Sequence, residues 1–136
     1  MAVIAMSGCR HIEPSTNLFN ELPFIFDIYR DIVFVGDATG VDAWIRDFCK
    51  KREIRCVVYA ANNKFSDDIL PVVHTSNWDV DGRAAGPIRN NIMLKGADRL
   101  VAFWNGKSKG TLDAIKQATK LGLPVFIVPL SGEEYE

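Results

Sequence analysis

Five short apolar runs punctuate the chain. Val3–Met6 is followed by Ser7-Gly8, Ile32–Val35 by Gly36-Asp37, and Leu100–Trp104 by Asn105-Gly106. Cys56–Ala60 follows a charged stretch, and Val125–Val128 follows Pro124. None of these runs alternates strictly with polar residues. Near-continuous apolar runs of this length predict strands buried on both faces, as in a parallel sheet sandwiched between helices. Between them the period changes. Val41, Trp44, Ile45, Phe48 and Cys49 fall on one helical face, and Lys50, Lys51 and Arg52 crowd the last turn, where cations suit the helix dipole. Leu112, Ile115, Ala118 and Thr119 make a second face that Gly122 is placed to stop. A third helix is predicted to start at Pro87 and run through Ile88, Ile92 and Met93. The first crossover, residues 15–30, reads as two short helical pieces split by Pro23.

Strands alternating with helices predict an α/β protein: a doubly wound parallel sheet of about five strands with helices on both faces. Residues 61–86 are too long for an ordinary connection and are expected to cover the sheet edge near a ligand site. With 136 residues, 48% of them hydrophobic, the chain is read as one domain over residues 1–136. Sixteen Lys+Arg stand against seventeen Asp+Glu, a net charge of −1, which argues against a dedicated duplex-DNA binder. Cys9, Cys49 and Cys56 form no C-x-x-C, so reduced thiols and a cytoplasmic location are expected. The apolar start, Met1 to Met6, lacks a basic flank and is a poor signal peptide, and no apolar run approaches the roughly 18 residues that span a membrane.

Ligands of open α/β sheets bind beyond the carboxyl ends of the strands, where the winding reverses. Three turns fall there: Ser7-Gly8-Cys9-Arg10, the segment Gly36-Asp37-Ala38-Thr39-Gly40-Val41-Asp42, and the segment Asn105-Gly106-Lys107-Ser108-Lys109-Gly110-Thr111. The last two lead into helix N-termini, where glycines admit a ligand and free N–H groups favour an anion. A phosphate at the third turn, with Lys107, Ser108, Lys109 and Thr111 as cations and hydroxyl donors, is the sharpest expectation. Glycine-rich turns are common, but two at one edge point to phosphate binding. Arg83 and Arg89, on either side of Gly86, are candidate phosphate clamps or a solvated pair. Trp78 and Trp104 are candidates for stacking on a base or for the rim of the core.

Several motifs fail. Val101 stands where a Walker A needs its first glycine, and no G-x-G-x-x-G follows the first strand. Asn77-x-Asp79-x-Asp81-Gly82 imitates an EF-hand, but Ile88 stands where its glutamate belongs. His11 and His74 are isolated, so no metal site is expected. Cys9 beside Arg10 reads as a low-pKa thiol or, more simply, as a small filler.

Three motifs taken in order carry a resemblance over essentially the whole chain. Gly36-x-x-x-Gly40-x-Asp42, Gly82-Arg83-Ala84-Ala85-Gly86-Pro87-x-Arg89-Asn90 and Ala102-Phe103-Trp104-x-Gly106-Lys107-Ser108-x-Gly110-Thr111 resemble the YspA/YpsA-related branch of the SLOG superfamily. These are Rossmann-like proteins related to the LOG phosphoribohydrolases and to DprA. The resemblance implies binding of a nucleotide or nucleotide-derived ligand, with no further cofactor. It implies Ser7, Gly8 and Arg10 on the pocket floor, and Gly36, Gly40 and Asp42 on one side. Gly110 and Thr111 would hold a phosphate, and Arg83, Arg89 and Asn90 would close over it. The LOG motif P-G-G-x-G-T-x-x-E departs here: Ala114 stands in place of its glutamate, which weakens a glycosidic-bond hydrolase. Asp37, Asp42 and Asp79 are substitute carboxylates, while Asp113 is turned away by about 100°. The expected function is therefore a nucleotide-ligand sensor or processing module. The alternatives are a LOG-like hydrolase or a DprA-like single-strand accessory protein. Relatives pair through helices, so a homo-oligomer is expected, and neither a nucleic-acid nor a membrane partner.

Overall fold

The computed structural model describes residues 1–10 and 18–130. Its elements run β1 (Val3–Gly8), a 3-10 helix (Leu18–Glu21), β2 (Ile32–Gly36), α1 (Val41–Arg52), β3 (Arg55–Ala60) and β4 (Val72–His74). They continue through α2 (Trp78–Asp81), a 3-10 helix (Gly82–Ala84), α3 (Ala85–Lys95), β5 (Arg99–Trp104), α4 (Lys109–Lys120) and β6 (Val125–Pro129). One six-stranded sheet has the order β4-β3-β2-β1-β5-β6, with every pair parallel. The chain winds outward from β1 to β4, then returns to β5 on the other side of β1. The winding therefore reverses between β1 and β5.

The doubly wound α/β sheet is as expected, but with one strand more than the five apolar runs. The addition, β4, lies within the long segment and pairs Val72 with Val58 and His74 with Ala60 at the sheet edge. It is three residues long and mostly exposed, so it has no apolar run to announce it. The helix expected from Pro87 starts two residues earlier. Pro87 sits in the first turn of α3, where its missing N–H has no intrahelical acceptor to lose. In the first crossover the described residues hold one regular piece, the 3-10 helix ending before Pro23, in place of two. The start of that segment and His11 lie outside the described residues. Gly122 stops α4 as expected, at φ 76° with its N–H on Thr119 O.

Strand side chains alternate between two cores. Ile4, Met6, Val33, Val35 and Phe103 join Val41, Ile45 and Cys49 of α1 on one face. Ala5 and Leu100 join Met93 and Leu94 of α3 and Ala114 and Ala118 of α4 on the other. The small residues on the second face let α3 and α4 lie close to the central strands. That brings the N-terminus of α4 down to the carboxyl ends of β1 and β5. Cys9 is fully buried with its thiol 3.6 Å from Phe103 O, which fits the filler reading. Cys49 is also sealed in the core, where the Cys56 thiol and burial push its own thiol far above the usual range.

Candidate functional site

Two adjoining clefts open at the reversal point. The inner one has a volume of about 30 Å³ and is lined by Ser7, Gly8, Arg10, Ala38, Asp42, Arg89, Asn90, Ser108, Gly110 and Thr111. The outer one, about 180 Å³, is lined by Arg10, Asp37, Ala38, Thr39, Asn62, Trp78 and Arg89. Arg10, Ala38 and Arg89 belong to both. The inner space holds little more than a pair of waters, the scale of a single oxyanion group.

The α4 wall is built from a capped turn. Asn105 Oδ1 accepts hydrogen bonds from the N–H groups of Lys107 and Ser108, at 2.9 and 3.0 Å. This folds the turn so that Ser108 becomes the N-cap, its hydroxyl facing Thr111 N at 3.5 Å and Thr111 Oγ1 at 3.3 Å. Trp104 braces the same turn, with its indole N–H donating to Ser108 O at 3.1 Å. Trp104 is thus part of the scaffold, and Trp78 is the tryptophan that faces a cleft.

The opposite wall depends on two glycines. A Cβ at Gly36 would collide with Arg89 Nη1 and Asp42 Oδ2, so glycine there lets both side chains crowd onto the end of β2. Gly40 has φ 72°, and a Cβ there would collide with the carbonyls of Cys9 and Arg10. The turns after β1 and β2 are also tied by Thr39 Oγ1 donating to Arg10 O at 2.9 Å.

Beneath the clefts runs a chain of polar side chains. Arg89 Nη1 reaches Asp37 Oδ1 at 2.8 Å, and Arg89 Nε donates to Asn90 Oδ1 at 2.9 Å. Asn90 Nδ2 donates to Asp113 Oδ2 at 3.0 Å, which also accepts from Gln117 Nε2 at 2.9 Å. Asp37 takes two further bonds, from the N–H groups of Ala61 and Asn62, both at 3.0 Å. Arg89 is therefore a fixed cation at the base of both clefts, not an arm that swings over a ligand.

Asp42 behaves differently from Asp37. It is 4% exposed, and its Oδ1 is one of two buried side-chain polar atoms without a partner among the described residues. Burial raises its carboxyl above the ordinary range, with Asp37 adding to the effect, against the lowering influence of Arg89, Arg46 and the Ala38 N–H. Two carboxyls at one sheet edge thus have opposite environments, one ion-paired and one desolvated.

Nine of the residues expected from the sequence line the inner cleft: Ser7, Gly8, Arg10, Asp42, Arg89, Asn90, Ser108, Gly110 and Thr111. Asp37 lines the outer one. Gly36 and Gly40 support the wall. Gly86 lies under Trp78, where a Cβ would be 3.4 Å from the indole. Arg83, Gly106 and Lys107 are exposed and line neither cleft. Arg83 sits in a 3-10 helix beyond the cleft rim, and Gly106 and Lys107 form the outer bend of the Asn105 turn. Ala38, Thr39 and Asn62 are additions. The signal for Asn62 was its place two residues after β3, at the same sheet edge. Ala114 is fully buried in the α3–α4 core, so no carboxylate occupies that position. Among the described residues no group of three His, Cys, Asp or Glu side chains is placed to hold a metal, and no helix is long and apolar enough to cross a membrane.

No family model matches the chain. Sixty residues are 39% identical to the Gene 61 protein of Mycobacterium phage D29, a stretch covering 43% of this chain and 48% of the phage protein. The match thus spans about half the length of that relative. The crystal structure of TM1055, a structural genomics target, superposes with a TM-score of 0.64 over 92% of this chain and 72% of that one, at 21% identity. Together with the strand order, this likeness shows a Rossmann-like α/β fold.

Proposed function

We propose that this chain binds a nucleotide or nucleotide-derived ligand, with a phosphate in the inner cleft and the nucleoside in the outer one. The carrying observation is the junction of the two clefts. A small compartment against the first turn of α4 opens through Arg10 and Arg89 into a larger one walled by Trp78. Unpaired amides and the dipole at a helix N-terminus favour an anion, and an indole face suits a planar base. Arg10 already lies 5.7 Å over the Trp78 ring, so a base entering there would insert beside a cation as well as an aromatic. The three glycine-containing motifs support placing the chain in the YspA/YpsA-related branch of the SLOG superfamily.

Calorimetry against nucleoside monophosphates, NAD and ADP-ribose tests this reading. Saturable binding that is weakened by Thr111→Ala is the expected result. No heat and no thermal stabilisation from any of them at millimolar ligand would refute it. Chromatography of the same mixtures after long incubation separates binding from cleavage. Recovery of intact nucleotide fits a binding module, whereas release of free base would assign the chain a hydrolase activity.

A further inference from the structure

The inner cleft presents donors from nearly every side. Arg10 and Arg89 line it, and the first turn of α4, which begins at Lys109, contributes backbone N–H groups that have no intrahelical acceptor. Asp42 is the one acid among the lining residues. An ionised carboxylate there would oppose the anion that the surrounding donors favour. Asp42 Oδ1 is buried and without a partner, while the carboxyl does receive the Ala38 N–H. The neighbouring charges are already engaged. Arg89 is paired with Asp37, and Arg46 Nη1 donates to Gly36 O and Ala38 O at 2.7 and 2.9 Å.

We infer that Asp42 captures the ligand's anionic group as a neutral carboxylic acid, donating its proton from the unpartnered oxygen to a phosphoryl oxygen, so that anion binding is coupled to a proton. This rests on the inner cleft being the phosphate subsite. The orphaned oxygen then has its partner in the bound state, and a lone acid in a donor-lined cleft becomes one more donor. The groups that tune the coupling are those facing Asp42. Arg46 on its own helix and Arg89 from α3 favour the ionised form. Asp37 from the turn after β2 and burial favour the neutral one. Without an anion, some protein molecules have Asp42 ionised as pH rises. Binding returns the proton.

The test uses inorganic sulfate, whose charge is constant near neutrality, and adenosine 5′-monophosphate. Each is titrated calorimetrically from acid to mildly alkaline pH, in buffers of different ionisation heat, with the wild type and Asp42→Asn. The amide keeps the shape and a donor but cannot titrate. The wild type is expected to take up a proton on binding sulfate and to lose affinity by up to about tenfold per pH unit on the alkaline side. The variant is expected to bind with no such uptake and to match or exceed the wild type at high pH. Equal pH slopes in the two proteins overturn the inference, and so does loss of binding at every pH in a folded variant, because the amide still offers a donor. If the variant does not fold, proton uptake by the wild type decides alone, because sulfate itself brings no titrating group. Proton-coupled sulfate binding without monophosphate binding would sustain this inference and sink the nucleotide reading. Binding of neither sinks both.

Discussion

Replacing Arg89 by alanine should damage the fold before it reveals anything of the ligand. The guanidinium and the Asp37 carboxylate meet at 2.8 Å, with side chains only 10% and 6% exposed. Removing one partner of a buried pair leaves the other charge uncompensated, at about 3–5 kcal/mol. Two features decide where in that range this pair falls. Asp37 keeps its bonds from the Ala61 and Asn62 N–H groups, which moderates the loss. Asn90 Oδ1 loses the Arg89 Nε bond, worth about 1.5–3 kcal/mol for a charged donor, and this restores much of it. A loss of about 4 kcal/mol is a large part of the roughly 5–15 kcal/mol that holds a domain of this size together.

Urea unfolding followed by tryptophan fluorescence measures this directly, through the midpoint at unchanged slope. Asp37→Ala and the double variant complete a cycle. The double variant is expected to be less destabilised than the sum of the singles by at least about 2 kcal/mol, because no lone charge remains. A loss under about 1 kcal/mol for Arg89→Ala, the size seen for solvated surface pairs, would refute the view that Arg89 is a buried structural cation. Any weaker ligand binding by Arg89→Ala therefore has to be read after stability has been matched, whereas Thr111→Ala removes no charge.

Other outcomes follow from single contacts. Gly40→Ala should lower the melting temperature by about 10 °C, since a side chain at φ 72° is strained and would also strike the Cys9 and Arg10 carbonyls. Thermal melts check this. Trp78→Ala should weaken adenosine 5′-monophosphate about 5- to 100-fold and leave ribose 5-phosphate unchanged, because only the base loses a stacking face. Paired titrations distinguish the two. Without ligand, Asp42 should make the fold less stable as pH rises. Its raised folded-state pKa means the folded chain binds more protons than the unfolded one between the ordinary carboxylate value and that raised value. Stability is lost across that window, and Asp42→Asn should flatten the profile of melting temperature against pH. Superimposable profiles would show that Asp42 ionises as freely as in the unfolded chain.

The strands that could be read from sequence were those buried on both faces, because only there does apolar patterning have to be continuous. Val72 and Val73 of β4 pair on one side only at the sheet edge, so two valines after Pro71 suffice and leave no periodic signal. The start of α3 was obscured for a local reason: Gly82–Ala84 already turns as a 3-10 helix, and Ala85 and Gly86 continue it without a cap. The turn residues of the candidate site were legible because strand ends and helix starts confine them. The directions of long side chains were not. Arg83, Arg89 and Lys107 look alike in a sequence, and only packing assigns Arg89 to the interior. Asp42 read as an ordinary acid in a helix's first turn, since its burial depends on β2, α1 and α3 meeting.

That sorting of cations limits the charge the site accepts. Arg83, Lys107 and Lys109 are exposed and line neither cleft, and Arg89 is paired with Asp37. Arg10 lines both clefts and lies over Trp78, and the α4 N-terminus is equivalent to about half a positive charge. An inner space of about 30 Å³ fits one phosphoryl group, so further phosphates would extend into solvent. Adenosine triphosphate should accordingly bind within about tenfold of the monophosphate at equal ionic strength, where a polyphosphate-binding loop would favour it far more. Competition calorimetry at low and physiological salt measures the ratio. A hundredfold preference for the triphosphate would mean that Lys107 and Lys109 fold over the outer phosphates. The Asn105 turn would then have to give up its two backbone bonds, and Asn105→Ala should strengthen triphosphate binding where rigidity of that turn would leave it unchanged.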